Sequence, residues 1–291
     1  MRDKSDIFNT AFKKICSAHL RPMEPVPTGM KPGGRLERPV KCILFDVYGT
    51  LLISAAGDIG PARKSALASK AFQTILNTFR VSTPAEQVLE SYFREIRAAH
   101  QRAKAKGVDY PEVHIDRIWA RILETENMYR AKRFSLEFEL MANPVFPMPH
   151  LELLLAACRQ AGLIMGIISN AQFYTPLLFQ WFLKGDPAAL GFSRDLLLYS
   201  YEVGCAKPSP GLFKLAVGRL EKRGISPESV LYIGNDEKKD ILPAKQAGFQ
   251  TALFAGDARS LRLGENGSRA DLIITDLHQL PAHLSDCNQN T

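Results

Sequence analysis

The sequence predicts an α/β protein in which a doubly wound, Rossmann-like parallel sheet carries a second, all-helical lobe. Short and almost continuously apolar runs alternate with longer helical patterns, as expected for strands that helices cover on both faces. One stretch breaks this alternation, because residues 62–142 carry one helical pattern after another without a strand. We therefore expect an N-terminal helix and linker over 1–40, a core formed by 41–61 and 143–291, and a helical lobe over 62–142.

The first segment of the chain combines an amphipathic helix with a linker. In SDIFNTAFKKICSAHL, the side chains of Phe8, Ala11, Phe12, Ile15 and Cys16 share one stripe at helical spacing. The following RPMEPVPTGMKPGGRLERP contains five prolines and three glycines in nineteen residues, which favours an irregular linker. We expect the helix to pack on the body of the protein or on a partner.

Six strands and four helices are predicted for the core. The runs CILFD, LIMGIIS, LLLYS, VLYIG, TALF and LIIT are rich in β-branched residues or leucine and are as long as typical strands. They predict strands over 42–46, 163–169, 196–200, 230–234, 251–254 and 272–275. The patterns between them predict helices over 149–161, 173–184, 209–223 and about 240–247.

Two long patterns support the helical lobe. TPAEQVLESYFREIRAAHQRAKAKG begins with a capping threonine and a proline in the first turn, and it ends on a glycine. YPEVHIDRIWARILETENMY places apolar side chains at helical spacing, namely Val113, Ile115, Ile118, Trp119, Ile122 and Leu123. Consecutive helices inserted into one strand-to-helix connection predict a second, all-helical lobe.

Composition excludes several classes of protein. The chain has 291 residues, of which 46% are hydrophobic and 23% charged, as in soluble globular proteins rather than disordered or fibrous ones. Its apolar stretches are far shorter than the roughly 20 residues that span a bilayer, and no secretory signal is recognisable. The five cysteines are scattered and form no Cys-x-x-Cys pair, so we expect no disulfides, no zinc site and a cytoplasmic protein.

The net charge of +7 is concentrated near the N-terminus. Residues 1–41 contain nine Lys or Arg and four Asp or Glu, which accounts for +5 of the total. A basic tail can contact RNA or an acidic membrane, but this one lacks the interleaved aromatic residues of a surface that binds nucleic-acid strands. We therefore expect a solvated tail, with no nucleic-acid and no membrane partner.

Polar side chains follow four of the predicted strands. In open α/β sheets, ligands bind at the carboxyl ends of the strands, near the point where the strand order reverses. A single acid or lysine at such a place is often only a cap or a surface residue. Four strand ends that deliver carboxylate, hydroxyl and ammonium groups to one edge predict a functional site. The residues are Asp46 after the first strand, Ser169 and Asn170 after the second, Lys207 after the third, and Asp236 and Asp240 after the fourth.

These residues resemble the four motifs of the haloacid dehalogenase superfamily, and the resemblance covers residues 41–276. DVYGT matches the first motif, an aspartate followed by x-x-Gly-Thr, and Ser169 matches the second. KPSPGLF matches the third motif from Lys207 onward, and Asp236 with Asp240 matches the acid pair of the fourth. The helical lobe between the first two motifs is similar to the mobile cap that is common in this family.

The resemblance implies a hydrolase that acts on a small phosphorylated substrate with the help of Mg²⁺. Asp46 would be the nucleophile and would form a covalent ester that water later hydrolyses. Lys207 would neutralise the crowded carboxylates and the transferring group, and the cap would exclude water. The implied catalytic residues are Asp46, Lys207 and Ser169, the implied substrate ligands are Val47, Tyr48, Thr50 and Asn170, and the implied metal ligands are Asp46, Asp236, Asp240 and the carbonyl of Tyr48.

Tyr48 departs from most phosphatases of this family, which carry aspartate two residues after the nucleophile. That aspartate protonates the leaving alcohol and then activates water, whereas tyrosine is a poor base at neutral pH. Tyrosine at this place is similar to the metal-independent haloacid dehalogenases, and Arg63 is then the candidate contact for halide or carboxylate. The acid pair favours a metal, because unneutralised like charges raise each other's pKa. A weakly active or inactive member that only binds phosphate compounds is the third alternative.

Substrate specificity is expected to reside in the cap. The polar and aromatic residues that could face the site from there are His100, Lys104, Tyr110, His114 and Trp119. The identity of the substrate and the oligomeric state do not follow from these patterns.

Overall fold

The computed structural model describes residues 4–56, 70–265 and 267–289 and has a seven-stranded sheet at its centre. Its strands are β1 (Gly33–Gly34), β2 (Cys42–Phe45), β3 (Leu52–Ser54), β4 (Val145–Pro147), β5 (Ile164–Ser169), β6 (Phe192–Tyr199), β7 (Val230–Gly234), β8 (Gln250–Phe254) and β9 (Leu272–Ile274). Its α-helices are α1 (Lys4–His19), α2 (Lys70–Thr78), α3 (Ala85–Lys104), α4 (Ile115–Ile122), α5 (Met128–Ala142), α6 (Leu151–Gln160), α7 (Thr175–Leu183), α8 (Ser200–Val203), α9 (Pro210–Glu221), α10 (Leu242–Gln246) and α11 (Leu280–Gln289).

β2 lies inside the sheet, and the chain winds away from it in both directions. The order across the sheet is β1-β9-β8-β7-β2-β5-β6. β2 pairs in parallel with β5, Cys42 opposite Ile164, and with β7, Cys42 opposite Val230. The other neighbours are parallel as well, except that β1 pairs antiparallel with β9 at the edge. The predicted doubly wound parallel sheet is confirmed, and the strand order reverses at β2, whose carboxyl end is therefore the expected ligand site.

The predicted strands agree with the observed ones within one residue at each end, except at β6. This strand starts at Phe192 rather than at 196, because Arg194 and Asp195 are exposed and interrupt the apolar run. The helix predicted over 240–247 is instead a π-helical turn, Glu237–Ile241, followed by the short α10. Such turns are rare in proteins, and those that do occur often lie at functional sites.

Helices α2 to α5 pack together between β3 and β4 and form the second lobe. Its core is aromatic, since the Tyr92 and Trp119 rings stack at 4.6 Å and the Phe138 ring lies 4.7 Å from Trp119. β3 and β4 pair antiparallel, with Leu52 opposite Pro147. The two connections between this lobe and the core therefore lie side by side.

The N-terminal helix packs on the helical lobe, while the linker after it runs along the core. Phe12, Ile15 and Cys16 of α1 are buried, and the helix contacts α5. In the linker, Val26 N donates to Asp257 Oδ1 at 3.1 Å, and β1 extends the sheet beside β9. The helix thus packs on the same chain, which is one of the two expected arrangements.

Within the described residues, no helix is long and apolar enough to cross a membrane. Cys16, Cys42, Cys158 and Cys205 are free thiols. Burial raises the pKa of Cys16, Cys42 and Cys158 to about 12, so these three side chains are protonated at neutral pH and act as small apolar groups of the core.

Candidate active site

Three of the predicted site residues form a buried triad at the carboxyl ends of the strands. The Lys207 Nζ atom lies 2.7 Å from Asp46 Oδ1 and 2.5 Å from Asp240 Oδ1. The side chains of Lys207, Asp46 and Asp240 are only 3%, 8% and 1% exposed, respectively. Their contacts are therefore desolvated, charge-assisted hydrogen bonds rather than surface ion pairs. Asp46 follows β2, Lys207 follows α8, and Asp240 belongs to the π-helical turn after β7. The parallel sheet therefore joins residues that are far apart in sequence.

Asn170 fixes the backbone that carries Lys207. Its Oδ1 accepts a hydrogen bond from Lys207 N at 2.7 Å, and its Nδ2 donates to Lys207 O at 3.1 Å. Both ends of the carboxamide are used in this clamp. The Asn170 side chain therefore positions the lysine, and within the part of the chain that the structure describes its backbone N–H pairs with no backbone acceptor, so that it could make the predicted phosphate contact.

Asp240 is held from two sides by hydrogen-bond donors. Its Oδ1 lies 2.5 Å from Lys207 Nζ and 2.9 Å from the Tyr232 hydroxyl. Its Oδ2 accepts the backbone amides of Asn235 at 3.1 Å and Asp236 at 3.0 Å. With four donors around one buried carboxylate, Asp240 organises the loop after β7 and keeps little capacity for a further ligand.

Asp236 lies at the start of the π-helical turn and faces the same cavity. Its Oδ1 caps the turn by accepting the backbone amides of Lys238 at 2.9 Å and Lys239 at 2.8 Å. Its Oδ2 lies 4.0 Å from Lys239 Nζ, at the partly exposed rim of the site. This second oxygen is placed where a cation could bind.

The loop after β2 is shaped by Gly49 and by the carbonyl of Val47. Val47 O accepts the backbone amides of residues 50–52 at 2.9 to 3.2 Å, which turns the chain sharply after Asp46. Gly49 has a φ of +86°, and a Cβ atom there would lie only 2.5 Å from Ser260 Cβ. Glycine is therefore required for both the conformation and the close approach of the two loops.

Unpaired donors lie next to Asp46. Within the described residues, no backbone acceptor pairs with the N–H groups of Val47 and Tyr48. The Ser169 hydroxyl is buried and has no partner of normal hydrogen-bond geometry there, although it is near enough to Asp46 to lower the pKa of that carboxyl. Because buried polar groups are normally paired, such donors are suited to the oxygens of a bound anion.

Thr50 lies behind the site rather than on its surface, where a phosphate ligand was expected. Its side chain is fully buried, and its hydroxyl donates to Asn235 Oδ1 at 3.2 Å. Asn235 Nδ2 donates in turn to Ser260 O at 2.6 Å. The Thr50 side chain thus connects the loop that carries Asp46 with the loop that carries Asp236.

Tyr48 lines the cavity but is a weak candidate for acid–base chemistry. Its hydroxyl lies 2.8 Å from Thr175 Oγ1, within hydrogen-bond distance. Burial raises the pKa of Tyr48 above its usual range, and the nearby Glu139 and Asp46 act in the same direction. The phenol is therefore neutral at physiological pH and cannot replace a carboxylate base.

The site carries more negative than positive charge. Burial raises the pKa of the Asp46 carboxyl, and the Lys207 ammonium opposes this rise. Burial by itself would lower the pKa of Lys207, but Asp240 and Asp46 raise it above its ordinary value, so the lysine stays charged. The buried Lys207 ammonium is thus shared by the carboxylates of Asp46 and Asp240, while Asp236 lies near the partly exposed Lys239. Carboxylate and carbonyl oxygens are the ligands that Mg²⁺ prefers, so this donor set fits a magnesium ion.

A cavity of about 360 Å³ extends from these groups to the helical lobe. Asp46, Lys207 and Asp236 line its core side, and His100 and Glu139 line the side formed by the lobe. A space of this size between two lobes is suited to a small substrate.

The other residues proposed for specificity do not line this cavity. Lys104 and Tyr110 are exposed, and Trp119 is buried in the aromatic core of the lobe. His114 packs edge-on against a tyrosine ring of the core at 5.7 Å. Arg63 lies outside the described residues.

Sequence patterns did not identify Tyr232, Thr175 or Glu139 as parts of the site. The Tyr232 hydroxyl lies 3.0 Å from Lys207 Nζ, and its signal in the sequence is a hydroxyl within the otherwise apolar strand VLYIG. Thr175 and Glu139 lie on helices, where spacing alone gives no sign that Thr175 contacts the Tyr48 hydroxyl or that Glu139 lines the cavity. These three contacts follow from the packing of separate elements.

Comparison with known proteins connects this geometry with one family of enzymes. Residues 40–248 match a family model described as hydrolase, haloacid dehalogenase-like hydrolase. The match runs from just before β2 to just after α10 and contains the four strand ends that build the site.

Phosphatases are among the curated relatives. The phosphoserine phosphatase of Thermus thermophilus is 33% identical over 132 residues, which cover 45% of this chain and 49% of that protein. The N-acetylmuramic acid 6-phosphate phosphatase of Pseudomonas aeruginosa is 27% identical over 220 residues, which cover 73% of this chain and 80% of that protein. The chain thus spans about half the length of the first relative and most of the second.

Solved structures share the fold at low sequence identity. A HAD phosphatase from Thermococcus onnurineus has a TM-score of 0.53 and 19% identity, with 84% of this chain and 98% of that chain covered. A 2-haloacid dehalogenase from Pseudomonas syringae has a TM-score of 0.53 and 20% identity, with 85% and 99% covered. Because a phosphatase and a dehalogenase are equally similar, the fold alone does not distinguish the two reactions.

Proposed function

Because the chain belongs to the haloacid dehalogenase-like hydrolase family, we propose that it is a magnesium-dependent phosphatase of a small phosphorylated molecule. The observation that carries the proposal is the buried triad of Asp46, Lys207 and Asp240, with Asp236 on the wall of the same cavity. Three carboxylates with one buried ammonium suit a site that also holds a divalent cation. The phosphatases among the relatives support the same reaction class.

We assign the metal ligands to Asp46, Asp236 and the backbone carbonyl of Tyr48. Asp240 was expected to coordinate the ion as well, but its two oxygens already lie within hydrogen-bond distance of four donor groups. In this proposal Asp240 instead supports the site from behind, by holding Lys207 and the loop that carries Asp236. The ion, when bound, would offset the charge that the carboxylates and the phosphoryl oxygens share.

In the proposed reaction, a carboxylate oxygen of Asp46 attacks phosphorus, the bond between phosphorus and the leaving group breaks, and an aspartyl phosphate forms. The Lys207 ammonium reduces the repulsion between the carboxylate and the phosphoryl group. The N–H groups of Val47 and Tyr48 and the Ser169 hydroxyl hold phosphoryl oxygens. Water then attacks the phosphorus of the intermediate, which releases inorganic phosphate and restores the Asp46 carboxylate.

Tyr48 would restrict the leaving groups that the enzyme can expel. A neutral phenol that is hydrogen-bonded to Thr175 provides no carboxylic acid to protonate a departing alkoxide. Acyl and aryl phosphates release weakly basic groups that depart without a proton. We therefore expect faster turnover of acetyl phosphate and p-nitrophenyl phosphate than of alkyl phosphates.

A second candidate is metal-independent dehalogenation, which the tyrosine in DVYGT and the similar fold of a 2-haloacid dehalogenase favour. In that reaction Asp46 would attack carbon and displace halide, and no ion would offset the charge of the acids. The carboxylate of Asp240 weighs against it, because, besides burial, it raises the pKa of Asp46 and so disfavours the ionised nucleophile.

The test measures release of phosphate from acetyl phosphate and p-nitrophenyl phosphate with Mg²⁺ and with EDTA, using Asp46→Asn as the control. Chloride release from 2-chloropropionate is measured in parallel. Phosphate release that requires Mg²⁺ and is lost in Asp46→Asn supports the phosphatase. Chloride release that survives EDTA would favour the dehalogenase, and inactivity of the wild type on every compound would contradict the phosphatase proposal for these leaving groups.

A further inference from the structure

Tyr232 is a buried residue of β7 whose hydroxyl contacts two members of the triad, Lys207 and Asp240. It is 3.0 Å from Lys207 Nζ, 2.9 Å from Asp240 Oδ1 and 3.0 Å from the backbone carbonyl of Ile168. The residue is completely buried, and its ring packs against Phe213 with the ring centres 5.3 Å apart. Its position is therefore fixed by the sheet and by the core beneath it.

The Tyr232 hydroxyl accepts a hydrogen bond from the Lys207 ammonium. An ammonium group has three N–H donors, and Lys207 finds three acceptors in Asp46 Oδ1, Asp240 Oδ1 and the Tyr232 oxygen. The phenol has one proton, which goes to Ile168 O or to Asp240 Oδ1 and leaves the oxygen free to accept from Lys207. Tyr232 is thus the third acceptor that the ammonium needs, and the one without a negative charge.

We propose that Tyr232 is a positioning residue that directs the Lys207 ammonium between the nucleophile and Asp240. This inference rests on the proposed function, since it assumes that Lys207 acts on the group transferred to Asp46. Two carboxylates alone leave the third N–H without a partner in a buried site, and the flexible lysine side chain could then turn away from Asp46. A neutral third acceptor holds the ammonium without adding charge that would compete with the substrate.

The decisive comparison is Tyr232→Phe against Tyr199→Phe. Tyr199 is also a buried residue of a core strand, but within the described residues its hydroxyl has no hydrogen-bond partner. We expect Tyr232→Phe to lower kcat for acetyl phosphate roughly 10- to 100-fold, the usual effect of losing a residue that orients a catalytic group, with a smaller change in KM. Tyr199→Phe should retain the kcat of the wild type.

A spectroscopic readout separates positioning from general packing. In protein labelled with ¹⁵N at the lysine side chains, the buried Lys207 ammonium should give a slowly exchanging signal, assigned by its absence in Lys207→Met. The signal should shift or broaden in Tyr232→Phe and stay unchanged in Tyr199→Phe. Equal kcat values of Tyr232→Phe and wild type, or equal losses in the two phenylalanine variants, would overturn the proposal.

Failure of the proposed function is distinguishable from failure of this inference. If the wild type releases no phosphate, the kinetic comparison is void, and the Lys207 signal alone decides whether Tyr232 holds the ammonium. If Tyr232→Phe does not fold, a crystal structure of the wild type decides instead. A Tyr232 hydroxyl beyond hydrogen-bond distance of Lys207 Nζ in that structure would overturn the assignment, and a distance near 3.0 Å would support it.

Discussion

Replacing Tyr48 with aspartate is expected to raise the turnover of alkyl phosphates. The phenol has an ordinary pKa of about 10, so only about one molecule in a thousand would be ionised at pH 7, and burial lowers this fraction further. Its hydroxyl also contacts Thr175 rather than an unoccupied part of the cavity. A carboxyl group two residues after Asp46 can donate a proton to the leaving alkoxide and accept one from water, and positioned catalysis of this kind contributes about 10²- to 10⁴-fold.

The structure also sets the cost of this substitution. The Tyr48 ring is half-buried and packs against the core, so its removal should destabilise the fold by less than the roughly 3–5 kcal/mol of a fully buried aromatic residue. Thr175 loses one hydrogen-bond partner but still accepts the backbone amide of Gln172 at 3.3 Å. The variant should therefore fold, with a lower melting temperature than the wild type.

The assay compares kcat/KM for glycerol 3-phosphate with kcat/KM for acetyl phosphate in three proteins. These are the wild type, Tyr48→Asp and Tyr48→Asn, which has nearly the shape of the aspartate but no acid. The ratio should increase in Tyr48→Asp by up to about 10²- to 10⁴-fold and should not increase in Tyr48→Asn. An equal ratio in the two variants would refute the reasoning that residue 48 limits the choice of leaving group.

Three further outcomes are expected. Asn170→Ala removes both hydrogen bonds that hold the Lys207 backbone, so steady-state kinetics should show kcat lowered roughly 10- to 100-fold. An unchanged kcat would contradict the proposal that Asn170 positions Lys207. Phe12 of α1 is only 5% exposed, so Phe12→Ala should leave a cavity between α1 and its neighbours. Urea denaturation should then show a loss of about 3–5 kcal/mol in the free energy of unfolding. A loss near zero would mean that α1 is not packed as described. Burial alone would raise the pKa of Asp276, but hydrogen bonds that include those from His278 lower it below the usual range. The ionised Asp276 carboxylate therefore stabilises the fold above the unfolded pKa near 3.9, and this stabilisation is lost as the pH falls through the folded pKa. Urea denaturation should therefore show the wild type to be more stable than Asp276→Asn at neutral pH, with a difference that disappears in strong acid, and a difference independent of pH would contradict this account.

The sheet and the triad could be predicted because both depend on patterns that are local in the sequence. Strands such as β2 are buried along their whole length, and a continuous apolar run of that length is typical of a buried parallel strand. Once the strands are parallel, their carboxyl ends share one edge, so Asp46, Lys207 and Asp240 must approach each other. The alternation of strands and helices therefore carries the information for the fold and for the approximate position of the site.

The individual roles of the site residues could not be predicted, because they depend on the directions in which the side chains point in the packed structure. Thr50 follows the nucleophile closely in sequence, yet it faces Asn235 behind the site. The backbone N–H of Asn170 was expected to contact phosphate, but the role of its carboxamide in holding Lys207 was not expected. Tyr232 interrupts an apolar strand with a hydroxyl, but its partners Lys207, Asp240 and the Ile168 carbonyl come from other segments of the chain.

The N-terminal segment joins the two lobes in a way that the family match does not include. That match begins at residue 40, whereas α1 packs on α5 of the helical lobe through Phe12 and Ile15, and the linker is bound to the core where Val26 N contacts Asp257. The linker also buries Leu36 and Val40 and is hydrogen-bonded to the core at Arg35, whose N–H donates to Asp271 O. Each buried apolar side chain contributes about 1.5–3 kcal/mol, and each hydrogen bond contributes about 0.5–1.5 kcal/mol net, so the segment is attached firmly to both lobes.

Attachment to both lobes bears on any movement of the helical lobe relative to the core. Such a movement should strain the segment between α1, which packs on α5, and the Val26 contact with the core. The core loop that receives the linker also contains Ser260, whose carbonyl accepts a hydrogen bond from Asn235 at 2.6 Å. Asn235 precedes Asp236, so displacement of the linker reaches the loop that carries a proposed metal ligand through a short series of direct contacts.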